Sequence, residues 1–530
     1  MEAQHQEKIF QAMGNPDFYP HPVKTSMGVM EQRETHISKV FLTGSYVYKI
    51  KKAVSLEFLD FTTLEKRRYY CNQELSLNRR LAHNIYLEVV TITFQNGNYR
   101  LGGSGVPVEY AVKMRQLPDA GSMKYLLRNS KIGAKEIEEL AYVLTEFYGQ
   151  APSNESINTF GSWETIQANC QENFKTTKKF AENIIDKRKF QLIIAATGSF
   201  LNRRKKLFQH RIDQGKIRDC HGDLKTEHVY YAEDGVQIID CIEFNEYFRY
   251  QDIACDLAFL LMGFDYEGFP KTGHDMLNAY VERTDDQDVF ILLDFYKCYR
   301  AVVRCKVNCI RISEGFTDRH ERIKLVKETE KYLDLAYSYA IQFTRPTIWI
   351  VCGISASGKS TISRELGKLL DIKVINSDVV RKKIFGMKTS ESSDLPFEAG
   401  IYSKGASSLT YGKLLLLAQE EIEKGNSVIL DATFSTRQRR IEAIRMAKDM
   451  DVNIIFVECV LSDELIKKRL VERETMASVS DARIHHFKHL KRGFEPMESL
   501  PDEMHIRVHT IKPLNKCMQQ ILSHEYVAAV

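Results

Sequence analysis

TIWIVCGISASGKST, residues 347–361, decides the fold of the C-terminal half. Its first six residues form an apolar run rich in β-branched side chains, which predicts a buried strand. The next eight, residues 353–360, match the pattern GxxxxGK[ST] at every fixed position, and an amphipathic helix is expected from Lys359 to Leu370. A strand, a glycine-rich turn and a helix in this order predict a loop whose backbone N–H groups bind phosphate.

The fixed residues of this loop have separate tasks. Glycines let the backbone curl around phosphate oxygens, Lys359 can reach the β- and γ-phosphates, and the Ser360 hydroxyl can ligate Mg²⁺. A chance glycine-rich turn is the alternative, and the flanking strand and helix disfavour it. The expected nucleotide site consists of Gly353, Ser357, Gly358, Lys359, Ser360 and Thr361, with Ser360 also on the metal.

Acidic residues follow the next two predicted strands, residues 373–376 and 427–430. The carboxyl ends of parallel strands face the ligand crevice of an α/β sheet. Asp378 could there accept the proton of an attacking hydroxyl, and Asp431 could orient Mg²⁺. The alternatives are a helix N-cap aspartate and a turn aspartate.

Three arginines complete the candidate residues of this half. Arg381 lies one turn after Asp378 and could hold a phosphate or carboxylate of the substrate. Arg469 and Arg473 are four residues apart on one helix face and could close over a γ-phosphate. A solvated charged helix is nearly as good an interpretation of the last two.

Strands and helices alternate from residue 347 onward, which predicts an α/β domain with a parallel sheet. Residues 346–530 resemble small P-loop kinases of the zeta-toxin, polynucleotide-kinase and gluconate-kinase type, on the loop, Ser377-Asp378-x-x-Arg381 and Asp431. The resemblance implies phosphoryl transfer and leaves the acceptor unidentified.

The N-terminal half carries a second acidic motif. His221-Gly222-Asp223-Leu224 precedes two short β-like segments, and Asp240 follows the second of them. One carboxylate could act as base for a hydroxyl and the other could hold Mg²⁺ on ATP phosphates. A β-hairpin with turn aspartates fits the same residues equally well.

These residues resemble the aminoglycoside-phosphotransferase and choline-kinase group of kinase-like folds. The resemblance implies a bilobal α+β fold, with a strand-rich small lobe over about 30–116 and a helical lobe over about 117–343. It makes Asp223 the base and Asp240 a metal ligand, and in the later D-x-x-x-DLA element Asp256 is expected to buttress the catalytic loop.

The resemblance extends to the small lobe, with departures. Lys49 lies where the group has its ATP-phosphate lysine, and Glu74 on the next helix could pair with it. Lys51 competes for that role, and we favour Lys49 because it continues the apolar strand. A surface lysine and a solvated acid are the alternatives. The glycine loop is reduced to Gly44, and His228 replaces the asparagine expected as second Mg²⁺ ligand, although Mg²⁺ prefers oxygen.

Composition limits the class of protein. The chain has 530 residues, 44% of them hydrophobic and 27% charged, the balance of a folded domain protein. No apolar run approaches the roughly 18–20 residues of a membrane span, and the polar N-terminus lacks a signal peptide, so we expect a cytoplasmic protein. A net charge of +4 does not indicate a dedicated nucleic-acid binder, and the 11 cysteines predict buried reduced thiols.

The chain therefore reads as two domains, residues 1–343 and 346–530, separated where Pro346 ends a long charged helix. The leading hypothesis is an ATP- and Mg²⁺-dependent phosphotransferase that acts on small-molecule hydroxyl groups, with two nucleotide sites. In the first alternative the N-terminal domain only senses a ligand. In the second the P-loop domain phosphorylates nucleic-acid ends, a partner that is possible but not favoured. We expect no membrane partner, and no pattern indicates an oligomeric state.

Overall fold

The structure is a computed structural model that describes residues 2–25, 29–56, 59–180, 184–315, 318–388, 400–472 and 482–529. The chain folds into two compact units. The first unit comprises Met1–Thr284 and Phe295–Tyr337, and the second comprises Asp285–Asp294 and Ser338–Val530. The domain boundary at residues 343–346 stays a proposal.

The first unit begins with a strand-rich region and continues with helices. Its strands are β1 (Glu31–Glu34), β2 (Ser38–Leu42), β3 (Tyr46–Lys51), β4 (Ser55–Leu56), β5 (Leu59–Asp60), β6 (Tyr86–Gln95), β7 (Asn98–Leu101), β8 (Val106–Arg115), β9 (Ile217–Asp219), β10 (Val229–Ala232), β11 (Gly235–Ile238) and β12 (Tyr250–Asp252). Its helices are α1 (Glu2–Met13), α2 (Leu64–Asn78), α3 (Met123–Arg128), α4 (Ala134–Gln150), α5 (Glu155–Asn158), α6 (Trp163–Lys178), α7 (Lys187–Arg203), α8 (Lys205–Asp213), α9 (Ile253–Glu267) and α10 (Pro270–Thr284). Helices α11 (Asp288–Glu314) and α12 (Arg319–Thr344) belong partly to each unit, because the division falls after Asp294 and after Tyr337.

The small lobe is built on one antiparallel sheet of order β1-β2-β3-β8-β6-β7. Helix α1 buries Ile9 and Phe10 in the same core as Phe41 of β2. Helix α2 buries Cys71 with Val112 of β8 in a second core. Alternation of side chains along the strands supplies both cores from one sheet. Helix α1 precedes the strand-rich segment of about 30–116 that the sequence predicts.

The helical lobe supports two short antiparallel ladders, β9 with β12 and β10 with β11. Helix α9 is buried along nearly its whole length, which explains its continuous apolar run. The predicted bilobal α+β kinase-like fold is confirmed.

The second unit is an α/β domain. Its strands are β13 (Thr347–Cys352), β14 (Lys373–Asn376), β15 (Val428–Asp431), β16 (Asn453–Val460) and β17 (His505–His509), and its helices are α13 (Lys359–Leu369), α14 (Ser377–Ile384), α15 (Lys404–Glu423), α16 (Arg437–Asp449), α17 (Asp463–Glu472), α18 (Phe487–Arg492) and α19 (Leu514–Ala529). All strands are parallel, in the order β14-β15-β13-β16-β17. Because β13 is central and fully buried, the loop after it lies at the middle of the sheet's carboxyl edge, and the predicted P-loop fold is confirmed.

Two general features agree with the composition. All 11 cysteines are free and buried. Among the described residues, no helix combines the length and the apolar character that crossing a membrane requires.

Candidate active sites

A cavity of about 1670 Å³ opens in the first unit. Its walls come from the small-lobe sheet, the 114–117 segment, the loops around 222–228 and 239–244, and one face of α11. Lys49, Asp223, His228 and Asp240 all line it, so residues far apart in sequence meet at one site.

Lys49 lies between two carboxylates. Its Nζ donates to Asp240 Oδ1 at 2.6 Å and lies 2.8 Å from Oε1 of the fully buried Glu74. Burial acts to lower the pKa of Lys49, but Asp240 and Glu74 outweigh it and hold that pKa well above its ordinary value. Lys49 therefore carries a positive charge at the wall of the cavity.

Lys51 is equally well paired but lies elsewhere. Its Nζ contacts Glu74 Oε2 at 2.7 Å and also Glu243, and its side chain has no exposed surface. Lys51 is absent from the cavity wall. Since only Lys49 faces the cavity, the geometry favours Lys49 as the candidate phosphate ligand.

Asp223, His228 and Asp240 form the candidate metal centre. One ligand atom from each lies within 4.8 Å of the others. Burial acts to raise the pKa of Asp240, but Lys49 and His228 outweigh it and lower that pKa below its ordinary range. For Asp223 the effect of burial is likewise outweighed by Lys225 and His228, so its pKa is also lowered. Both carboxyl groups are thus ionised at neutral pH, as a cation site requires.

The hydrogen bonds of His228 define the nitrogen that can bind a metal. Its Nδ1 lies 2.9 Å from the main-chain oxygen of Asp223, which can only accept, so we assign the proton to Nδ1. In the neutral ring, Nε2 presents a lone pair 3.6 Å from Asp240 Oδ2, whereas the protonated ring is the form that lowers the pKa of both aspartates. The residues therefore fit a divalent cation, with one nitrogen in a position that the resemblance gives to an oxygen.

Asp256 holds the backbone of the candidate catalytic loop, residues 221–224, by hydrogen bonds. Its two oxygens accept hydrogen bonds from His221 N, Gly222 N, the Tyr148 hydroxyl and the Gln251 amide, all between 2.9 and 3.0 Å. Gly222 has φ +86°, and a Cβ there would lie 2.7 Å from the Phe248 carbonyl oxygen. This geometry is the buttress expected of Asp256.

The turn that lines the cavity is not the one that contains Gly44. Gly44 donates its N–H to the Gln116 side chain at 2.7 Å, at the end of the sheet next to the 114–117 segment. Residues 35–37, between β1 and β2, line the cavity instead. They contain no glycine, so the sequence pattern offered no signal for them.

In the second unit the phosphate loop has the backbone that its glycines predict. Gly353, Ala356 and Gly358 all have positive φ, and a Cβ at Gly353 would lie 2.5 Å from the Cys459 carbonyl oxygen. Ser357 is buried, whereas Ser360 and Thr361 are exposed in the first turn of α13. The helix N-terminus thus faces the loop, as anion binding requires.

Two basic side chains bond to this loop. Lys359 Nζ donates to the Ile354 carbonyl at 3.0 Å, and Arg469 donates to the Ala356 carbonyl at 3.3 Å. Arg469 therefore lies at the phosphate loop, as its candidate role needs. Arg473 lies outside the described residues.

The acidic candidates of this unit lie at the carboxyl edge of the sheet. Asp431 is buried, pairs in register with Val351 and accepts from the Asn376 amide at 2.7 Å. Asp378 lies in the first turn of α14, where Asn376 caps its backbone N–H. Arg381 is 6% exposed and donates from Nη1 to the Ile401 carbonyl at 2.9 Å, while its buried Nε has no hydrogen-bond partner among the described residues.

Sequence reasoning missed two charged neighbours of the first site. Lys225 contacts Asp223 Oδ2 at 2.9 Å, and Glu243 pairs with Lys51. Each lies within three residues of a motif aspartate, a spacing that could have identified both.

Comparison with known proteins agrees with this division. A family described as an AAA domain matches residues 348–497, the phosphate-loop region. An uncharacterized protein of Mycobacterium tuberculosis strain H37Rv is 30% identical over 466 residues, which cover 88% of this chain and 90% of that protein. The chain belongs to the family of this mycobacterial protein. Family membership thus spans both units.

Two solved structures each resemble one part of the present chain. A choline/ethanolamine kinase family protein from Mesorhizobium loti matches 63% of this chain and 98% of its own, at 11% identity and a TM-score of 0.37. A gluconokinase from Sinorhizobium meliloti 1021 matches 35% of this chain and 94% of its own, at 15% identity and a TM-score of 0.26. At these scores neither likeness identifies a substrate.

Proposed function

We propose that the chain is a bifunctional ATP- and Mg²⁺-dependent phosphotransferase with one site in each unit, acting on hydroxyl groups of small molecules. The observation that carries the proposal is the meeting of Lys49, Asp223, His228 and Asp240 at one cavity of about 1670 Å³, in a chain whose other unit has a complete phosphate loop.

In the first unit, Asp223 accepts the proton of the acceptor hydroxyl while that oxygen forms its bond to the γ-phosphorus. The bond from the γ-phosphorus to the bridging oxygen breaks, and ADP leaves with that oxygen. Lys49 binds the phosphates of ATP, and Glu74 keeps Lys49 in place. Asp240 and His228 hold the divalent cation, which when bound neutralises phosphate charge.

In the second unit, the loop from Gly353 to Thr361 binds the phosphates of ATP, with Lys359 at the β- and γ-phosphates. Lys359 Nζ donates to the Ile354 carbonyl, and its ammonium group has three N–H donors, so it can also donate to a phosphate oxygen. Ser360 and Asp431 hold the cation, and Asp378 accepts the hydroxyl proton of the second acceptor. Arg469, which donates to the Ala356 carbonyl of the loop, binds the γ-phosphate.

The experiment compares the full chain with Asp223→Asn and Lys359→Ala after incubation with ATP, Mg²⁺ and a metabolite extract. Mass spectrometry detects each species that gains one phosphoryl group. We expect each variant to lose a different product. If neither variant loses a product that the full chain makes, the proposal is wrong.

His228 supports one second candidate for the first unit, a module that binds a ligand without catalysis. Imidazole in place of an oxygen ligand weakens a Mg²⁺ site. In that case Asp223→Asn leaves every product in place and only Lys359→Ala loses one. Replacing His228 by Asn then raises Mg²⁺ affinity, which calorimetry measures directly.

A further inference from the structure

The lysine and arginine side chains that line the first-unit cavity differ in whether a carboxylate forms an ion pair with them. Six of its lysine and arginine side chains have a carboxylate oxygen within 3.7 Å: Arg33, Lys49, Arg115, Lys124, Arg128 and Lys306. Among the described residues, the other three basic side chains of the wall, Arg300, Arg304 and Arg311, have no such ion pair. All three belong to α11, so one wall of the cavity carries guanidinium groups that no carboxylate pairs with directly.

These three arginines share one face of the helix. Spacings of four and seven residues bring them into register on an α-helix, and Val303 and Val307 of the same face also line the cavity. Arg311 is exposed at one end of the stripe. Arg300 and Arg304 form the part that faces the catalytic loop.

Arg300 is positioned by neutral groups. It is 7% exposed, donates to Gln251 Oε1 at 2.6 Å and approaches the Cys255 carbonyl at 3.4 Å. Gln251 in turn donates to Asp256, the residue that holds the catalytic loop. A chain of hydrogen bonds therefore ties this arginine to the loop without cancelling its charge.

Arg304 contacts Tyr332 but makes no carboxylate ion pair among the described residues. Its Nε is shielded from solvent and has no hydrogen-bond partner among the described residues, while its guanidinium lies 5.4 Å from the Tyr332 ring centroid. Burial acts to lower the pKa of Arg304, but Tyr332 and Asp223 outweigh it and raise that pKa. A partly buried guanidinium without a directly bonded anion is costly, and a bound phosphate or carboxylate offsets that cost with charge-assisted hydrogen bonds.

We propose that the acceptor of the first unit carries a phosphate or carboxylate group in addition to the hydroxyl presented to Asp223, and that Arg304, together with Arg300, binds this anionic group. The inference rests on the proposed function of the same cavity. A cationic acceptor meets two guanidinium groups there and is disfavoured. The γ-phosphate of ATP is the other anionic group that these arginines could bind. The experiments below distinguish it from an anionic group of the acceptor.

Calorimetry with inorganic phosphate tests the anion site directly, at constant ionic strength. The protein is the full chain with Lys359→Ala, so that the phosphate loop contributes little. We expect Arg304→Gln to weaken phosphate binding at least tenfold and Arg304→Lys to weaken it less. Arg128→Gln is the matched control, because Arg128 lines the same cavity but is neutralised by Glu267 at 2.6 Å, and we expect less than a twofold change. Equal phosphate affinity in Arg304→Gln and its parent overturns the proposal.

Two further measurements assign the anion to the acceptor. We expect the affinity for Mg²⁺ and the non-hydrolysable analogue AMP-PNP to change less than twofold in Arg304→Gln, and a tenfold loss places Arg304 on the γ-phosphate and overturns the inference. Every product that depends on Asp223 should derive from an acceptor that already carries a phosphate or carboxylate. A neutral or cationic acceptor refutes this inference and leaves the phosphotransferase intact. If phosphate binding depends on Arg304 but the protein transfers no phosphoryl group, the anion site stands and the proposed function is wrong.

Discussion

Asp256→Asn is the substitution whose effect the structure defines most closely. Each carboxylate oxygen accepts two donors, His221 N and the Tyr148 hydroxyl on Oδ2, and Gly222 N and the Gln251 amide on Oδ1. In the variant, the amide NH₂ of the introduced asparagine replaces one of these oxygens. It is itself a donor, and it would face the two donors that the oxygen accepted. The less costly orientation is towards Tyr148, whose hydroxyl can rotate and accept, and it still leaves the buried N–H of His221 without a partner.

A hydrogen bond to a charged group contributes about 1.5–3 kcal/mol, and an unsatisfied buried donor costs about 1–3 kcal/mol. Since the two overlap, we expect the variant to lower the free energy of unfolding of the first unit by about 2–4 kcal/mol. Urea denaturation measures it in a Trp349→Phe background, where Trp163 is the remaining tryptophan and lies in the first unit.

The control is Asp119→Asn, because Asp119 is exposed and pairs with Arg33 at 3.2 Å, and we expect it to cost less than about 1 kcal/mol. A loss below about 0.5 kcal/mol in Asp256→Asn refutes the view that this carboxylate holds the loop of residues 221–224.

Three other predictions follow from local geometry. Gly222→Ala should destabilise the first unit by about 1–3 kcal/mol more than Gly268→Ala, because both have similar positive φ but only Gly222 meets a carbonyl oxygen; equal losses in urea denaturation argue against the clash. Glu74→Gln should cost about 3–5 kcal/mol, because Lys49 and Lys51 lose their shared buried carboxylate, and a loss below about 1 kcal/mol contradicts this. Lys373→Met should raise the pKa of Glu421 from about 2 towards its ordinary value, as read from a carboxyl NMR titration. Because the folded pKa lies below the unfolded one, this ion pair stabilises the second unit above about pH 4.3 and is lost as the pH falls towards 2, so the variant should lose less stability over that range.

The parts of the sites that could be predicted from the sequence are contiguous. The phosphate loop needs a strand, two glycines, a lysine and a hydroxyl within fifteen consecutive residues. A local sequence pattern therefore contains every residue that the loop needs to bind phosphate. Asp223 and Asp240 belong to a similar short stretch. The pairing of Lys49 with Glu74 could also be proposed, since it needs only a strand and the helix that follows.

The remainder depends on tertiary packing that periodicity does not encode. Arg300 and Arg304 lie in a helix whose charged and apolar residues read as an ordinary amphipathic pattern, and only the fold brings them to the cavity of Asp223. The turn at 35–37 lacks the glycines that mark such turns elsewhere. The register of β1 with β2, and of β2 with β3, places this turn at the cavity. That register is fixed by the packing of the whole sheet and not by the residues of the turn.

The central position of β13 has a consequence for synthesis on the ribosome. This strand emerges early in the second unit, yet its two neighbours in the sheet begin only at Val428 and Asn453. Its apolar side chains and backbone hydrogen-bonding groups therefore stay without their native partners while much of this unit is translated. This delay favours non-native strand pairing. The nascent C-terminal half should consequently depend more on chaperones than the small lobe, whose hairpins close between adjacent segments.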